Sequence, residues 1–89
     1  MQTPSTNAVD IPNQPCRLID LPVGHAAKIE GLLGDAISKR RLMALGLVKG
    51  KEIVLETKAP MGDPRIYAIL GYRLSIRNDD AKNVLVSNL

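Results

Sequence analysis

Two apolar, β-branched runs flank a cluster of turn residues in the centre of the chain. The first run covers residues 52–58 and the second residues 65–77, with Ala59-Pro60-Met61-Gly62-Asp63-Pro64 between them. Runs of this kind, bounded by Pro, Gly and Asp, are typical of consecutive antiparallel strands. In the first run Ile53, Leu55 and Thr57 alternate with more polar positions, which predicts one buried and one exposed face.

Shorter patterns predict the flanking elements. Residues 17–20 and 26–30 are expected to form two strands, and residues 72–77 a last strand that buries Tyr72, Leu74 and Ile76. A short C-terminal helix is expected from Asn78 or Asp79 to about Val84, burying Ala81 and Val84.

A longer helix is predicted over residues 36–45. Asp35 can cap its N-terminus, and Gly46 fits the left-handed residue that commonly follows a helix. At about 100° per residue, one broad face of this helix would collect Ile37, Arg41, Leu42, Ala44 and Leu45, with Lys39 and Met43 pointing away from it.

The run from Arg65 to Leu70 does not alternate. Tyr67 and Ile69 make one apolar face, while Ile66, Ala68 and Leu70 make a second. A half-exposed antiparallel strand should have only one such face. We hypothesise that the second face binds a partner; the alternative is that barrel curvature, the N-terminal segment or self-association covers it.

Together these elements predict a mainly β fold. We expect a small, strongly coiled barrel of about five antiparallel strands, with an inserted helix at about 36–45 and a short C-terminal helix. With 89 residues in total, residues 16–89 have room for one core only and are expected to form a single domain. Residues 1–15 are polar, contain Pro4, Pro12 and Pro15, and are expected to be a flexible tail.

Composition narrows the classes of function. The chain has no Phe or Trp and two Tyr, which weakens a role in stacking nucleic-acid bases. Its net charge of +3 is mild, so it permits contact with an acidic protein surface without indicating a duplex binder. The single Cys fits a reducing compartment, and no segment has the pattern of a signal peptide or of a spanning helix. We therefore expect a cytoplasmic protein.

Residues that could carry chemistry are few. Cys16 and His25 are weak candidates for a metal site, because their spacing matches no compact ligand motif. The glycines form no phosphate-binding loop, and no activated nucleophile or paired-carboxylate motif is present. We expect no cofactor, weak metal affinity at most, and no enzymatic activity.

Five basic residues lie between positions 39 and 51 without an acidic one among them: Lys39, Arg40, Arg41, Lys49 and Lys51. They could form a solvated surface or dock on an acidic partner, where such charges mainly steer association. Met43 could add a separate apolar contact, because Met adapts to irregular surfaces. The sequence therefore predicts a partner-binding set of Lys39, Arg40, Met43, Ile66, Ala68 and Leu70.

The chain resembles the FeoA family over about residues 18–86. The resemblance is carried by Leu21-Pro22-Val23-Gly24, by Arg40-Arg41-Leu42-Met43-Ala44-Leu45-Gly46-Leu47 with Gly50, by Ala59-Pro60-Met61-Gly62-Asp63-Pro64, and by Leu74-Ser75-Ile76-Arg77 before Ala81. It implies an SH3-like barrel with an inserted helical segment. It also implies an accessory role at the cytosolic side of the ferrous-iron transporter FeoB, with no nucleic acid bound and no membrane insertion.

Two alternatives remain open at this stage. The first is a metal-responsive regulatory domain related to the C-terminal barrel of DtxR-type repressors, which Fe(II) or Mn(II) should stabilise. The second is a small nucleic-acid-binding barrel, which should bind RNA or DNA with a salt-dependent affinity.

Overall fold

The computed structural model describes residues 16–89, which fold into an antiparallel sheet with two helices. The strands are β1 (Cys16–Arg17), β2 (Ala26–Leu32), β3 (Glu52–Lys58), β4 (Arg65–Ile69), β5 (Tyr72–Ile76) and β6 (Val84–Asn88). Helix α1 (Ala36–Ala44) lies between β2 and β3, and the short α2 (Asn78–Ala81) lies between β5 and β6. The predicted tail at residues 1–15 lies outside the described residues.

The sheet has the strand order β1-β6-β2-β3-β4-β5. Strands β2 to β5 form a meander in which each strand pairs with the next one along the chain. Strand β6 then returns to the other side of β2, where Val86 lies opposite Ile29. The inward side chains of all these strands meet in one hydrophobic cluster; its largest fully buried members are Tyr67, Leu18, Ile29, Leu42, Leu47, Ile53, Leu55, Ile76, Val84 and Val86.

Strand β3 has the predicted bounds, but the predicted position of Thr57 is wrong. Ile53 and Leu55 are fully buried, whereas Thr57 is exposed. The register with β4 shifts between Leu55 and Thr57, which places Thr57 opposite Ile66 on the outer face. The irregularity inserts one extra residue and so reverses the alternation beyond it.

The C-terminal prediction is corrected in two respects. Helix α2 ends at Ala81 instead of about Val84, and Val84–Asn88 form a sixth strand that pairs with β2 and β1. Val84 and Val86 are buried, as the alternation of a half-exposed strand requires. At the other end of the chain, the predicted strand at 17–20 is a strand only at Cys16–Arg17, and Leu18–Asp20 form a 3₁₀-helical turn.

The bounds of α1 are as predicted to within one residue, and its capping residues are confirmed. The Asp35 carboxylate accepts a hydrogen bond from the backbone N–H of Ser38 at 2.7 Å, and Gly46 has a φ of 98°. This hydrogen bond holds the pKa of Asp35 below its usual value. Neither helix of the described residues has the length and apolar character needed to cross a membrane.

The predicted buried face of α1 is wrong. Leu42 is the only buried residue of the helix, while Ile37 is 74% exposed and Leu45 43% exposed. Ser38 and Lys39, which flank Leu42 on the helix surface, are half-buried. The face that meets the sheet is therefore rotated by roughly a quarter of a turn from the one predicted.

Candidate partner-binding site

An open groove lies between α1, the loop that follows it and the second half of β2. We call it the α1 groove; its volume is about 330 Å³. Its lining residues are Glu30, Gly31, Leu32, Lys39, Met43, Leu47, Val48 and Lys49. Leu47 is buried, whereas Met43 is 49% exposed and Val48 is exposed. The groove therefore combines an apolar floor with two lysines.

Local backbone structure fixes the wall of this groove at the end of α1. Leu47 N–H donates to the carbonyl oxygen of Leu42 at 3.2 Å, which returns the chain to the core directly after the helix. The hydroxyl of Tyr72, on β5, donates to the carbonyl oxygen of Leu45 at 2.9 Å. The positive φ of Gly46 favours glycine, and a Cβ atom there would in addition displace the Tyr72 hydroxyl from this hydrogen bond.

The basic residues near the groove differ in their ion pairing. Arg41 pairs with Asp80 at 2.7 Å, so its charge is compensated. Within residues 16–89, neither Lys39 nor Lys49 forms an ion pair, and the same holds for Arg40. The carboxylate of Glu30 accepts a hydrogen bond from the hydroxyl of Ser87. The lysine side of the groove is therefore electropositive.

A second surface lies on the outer face of the sheet. The register places Ala68 of β4 beside Val54 of β3 on one side and Arg73 of β5 on the other. Arg73 forms an ion pair with Glu56 at 2.7 Å. Ala68 lines a shallow depression of about 540 Å³ together with Glu56, Ile69, Gly71, Tyr72 and Arg73. We call this surface the outer β4 face; its opposite charges are already paired within the chain.

Five of the six predicted contact residues lie on or beside these two surfaces, and the sixth lies in the turn after β4. Lys39 and Met43 line the α1 groove, and Arg40 is exposed on the same helix. Ile66 and Ala68 are half-buried on the outer β4 face. Leu70 is 94% exposed in the turn after β4, so it does not share the strand face on which it was expected.

Sequence reasoning overlooked the floor of the α1 groove. Leu32, Leu47 and Val48 lie in or beside loops, where a periodicity analysis assigns no face. Lys49 was recognised as basic, but its position in the same groove as Lys39 depends on the turn at Gly46. A local signal for the groove floor is the Leu-Gly-Leu segment at the end of the helix, because its last Leu has to return to the core.

The candidate metal ligands lie apart in the sheet. Cys16 on β1 is in line with Val86 of β6 and Ile29 of β2, whereas His25 precedes β2 by one residue and is exposed. No group of three or more His, Cys, Asp and Glu side chains in residues 16–89 is arranged to hold a metal ion. Burial, together with the charge of Asp20, raises the pKa of the Cys16 thiol, which disfavours the thiolate that binds metals.

Comparisons with known proteins agree with this architecture. Residues 16–88 match the FeoA domain family. An FeoA-like protein from Clostridium acetobutylicum is 37% identical, with a TM-score of 0.80 over 85% of this chain and 88% of that chain. FeoA from Stenotrophomonas maltophilia, solved with zinc and described as a prokaryotic SH3 domain protein, is 32% identical, with a TM-score of 0.70 over 81% of this chain and 89% of that chain. The predicted SH3-like fold is thereby confirmed.

A further relative is a fusion protein. The Fe(2+) transport protein A/Fe(2+) transporter FeoB fusion protein of Porphyromonas gingivalis is 36% identical over 70 residues. These residues make up 79% of this chain but only 8% of the fusion protein. From the family match, the identities and the shared fold, we conclude that the chain belongs to the FeoA domain family.

Proposed function

We propose that this protein is a non-enzymatic accessory protein of bacterial ferrous iron uptake. In this role it docks on the cytosolic side of a FeoB-type transporter by protein–protein contact. Iron is the cargo of the transporter and is not held by this chain. The proposal also places the protein in the cytoplasm.

The observation that carries this proposal is the Porphyromonas gingivalis fusion protein. There, a segment similar to this chain is covalently joined to FeoB, which gives the two parts a high effective concentration. Two parts that work together as separate chains must achieve the same proximity by binding. The surface of this chain suits that task, because the exposed apolar side chains of Met43 and Val48 line a groove together with Lys39 and Lys49. Neither lysine forms an ion pair within residues 16–89.

The experiment that tests the proposal measures ferrous iron uptake in cells. Deleting the gene for this chain should lower the initial rate of anaerobic Fe(II) uptake several-fold, while the amount of FeoB-type transporter in the membrane stays the same. Wild-type protein supplied from a plasmid should restore the rate. An unchanged uptake rate in the deletion strain would refute the proposed function.

A further inference from the structure

The α1 groove has the shape of a docking site for a short polypeptide segment. Its volume of about 330 Å³ can accommodate a few side chains, at the lower end of the range for ligand pockets. Its floor and one wall are formed by Leu32, Leu47, Met43 and Val48. Apolar area of this kind gains free energy when a partner side chain removes it from water.

A glycine keeps the β2 side of the groove open. A Cβ atom added to Gly31 would have no heavy atom within 4 Å, and the residue does not need a positive φ. Glycine is therefore not required there by the conformation of the backbone. A side chain at this position would project into open space beside the groove that Gly31 lines.

The charges around the groove specify the chemistry of the occupant. Lys39 and Lys49 line it, and Arg40 is exposed on the same helix. None of these three has an ion-pair partner among residues 16–89. Among residues 16–89, Glu30 supplies the only carboxylate of the lining, and that carboxylate accepts a hydrogen bond from Ser87. The lysine side would therefore favour carboxylates, while the Glu30 end would disfavour them.

The outer β4 face lacks this complementarity. Its principal charges, Arg73 and Glu56, already pair with each other at 2.7 Å. A partner that binds here would have to break this ion pair or bury it. Both steps cost desolvation free energy, whereas a charge without a partner can form a new ion pair on binding. Its apolar residues Ile66 and Ala68 are also half-buried already.

From these features we infer that the α1 groove binds a short acidic segment of the FeoB-type transporter's cytosolic part. The segment carries at least one aliphatic side chain, which packs on Met43, Leu47 and Val48. Its carboxylates lie beside Lys39 and Lys49. This inference rests on the proposed function, and it assigns the contact to the α1 groove instead of the outer β4 face.

The test uses the full-length chain and the purified cytosolic part of the FeoB-type transporter from the same genome. Binding is measured by calorimetry at low salt for the wild type, for Lys39→Glu with Lys49→Glu, and for Gly31→Leu. The charge reversals should weaken binding on the order of tenfold or more, because they replace attraction by repulsion. Gly31→Leu should weaken it without changing charge, since the new side chain fills the groove.

Lys58→Glu is the matched control. Lys58 is exposed at the far end of β3, opposite Arg65, and has no ion pair within residues 16–89. Its reversal changes the net charge by the same amount per residue and should leave the affinity within about twofold. Melting temperatures of all variants show that each is folded; if Lys39→Glu lowers stability, the exposed Lys49→Glu alone decides the outcome.

Each outcome separates the two proposals. Wild-type binding that is weakened by the groove variants and not by Lys58→Glu supports the inference. Wild-type binding that all groove variants retain overturns the inference and leaves the proposed function intact. If the wild type does not bind the transporter at all, the docking in the proposed function is refuted, and the inferred occupant of the groove with it.

Discussion

The hydroxyl of Tyr72 occupies the space that a side chain at Gly46 would need. The hydroxyl donates to the carbonyl oxygen of Leu45 at 2.9 Å and so ties the end of α1 to β5. The residue pair therefore determines where the chain leaves the helix and how the wall of the α1 groove is held.

This contact makes Gly46→Ala more destabilising than an equivalent change elsewhere. Gly50 has almost the same φ, 94° against 98°, but a Cβ atom there would meet no heavy atom within 4 Å. Both substitutions should lower the free energy of unfolding by about 1–2 kcal/mol, because alanine is strained at a positive φ. Gly46→Ala should lose about 1 kcal/mol more, because it also displaces the Tyr72 hydroxyl.

Urea denaturation of the two variants measures this difference in the free energy of unfolding. In a Tyr72→Phe background the excess cost of Gly46→Ala should shrink, which a double-mutant cycle reports as a coupling energy. Equal losses for Gly46→Ala and Gly50→Ala would contradict the account of this contact.

Tyr67 is a second residue whose environment has a measurable consequence. The side chain is fully buried, and its hydroxyl has no hydrogen-bond partner within residues 16–89. Burial raises the pKa of Tyr67 to about 12, although the nearby Arg65 guanidinium acts in the opposite direction. The folded state therefore keeps a proton that the unfolded chain releases near pH 10.

Because the pKa of Tyr67 is higher in the folded state than in the unfolded chain, the stability of the fold depends on pH. Between about pH 10 and 12 the unfolded state binds fewer protons, so the stability of the fold falls as the pH rises, by at most about 1.4 kcal/mol per pH unit. Tyr67→Phe removes this contribution and the unpaired hydroxyl. The variant should equal or exceed the wild type in stability at pH 7 and should lose less stability than the wild type above pH 10. Parallel stability curves for the two proteins would show that Tyr67 does not titrate in this way.

At the scale of the element, helix α1 is attached to the sheet through few side chains. Leu42 is its only buried residue, and Ile37 is 74% exposed although the sequence pattern placed it on the inner face. A helix held in this way presents most of its surface to solvent or to a partner.

This arrangement predicts very unequal losses of stability for two aliphatic truncations on the same helix. Leu42→Ala should lower the free energy of unfolding by about 2–5 kcal/mol, because it leaves a cavity in the core. Ile37→Ala should change it by no more than about 0.5 kcal/mol. Thermal or urea denaturation distinguishes the two, and similar losses for both variants would indicate that the helix packs through its predicted face.

The elements differ in how well local sequence predicted them. Strand β3 was predicted with its correct ends, because its alternation and its flanking turn residues are local signals. Strand β6 was missed, because the predicted helix was extended to about Val84. The strand conformation of Val84–Asn88 depends on pairing with β2, which is distant in sequence. The phase of α1 failed for a similar reason, since packing on the sheet outweighed the apolar count around the helix.

At the scale of the whole molecule, one fold presents two different surfaces. The outer β4 face carries an internal ion pair between Arg73 and Glu56, whereas the α1 groove carries Lys39 and Lys49 without partners among the described residues. The sequence placed residues of both surfaces in one partner-binding set, because an order of residues along the chain does not show that the side chains of α1 and those of β4 face different surfaces. Only the three-dimensional arrangement separates them.

The most direct measurement of the central claim is the affinity of the wild-type chain for the cytosolic part of its FeoB-type transporter. We predict saturable one-to-one binding, with a Kd that increases as NaCl is raised from about 50 to 300 mM, because the groove attracts its partner partly through unpaired lysines. The absence of binding at protein concentrations of about 100 µM, well above the Kd of a specific contact, would contradict the account.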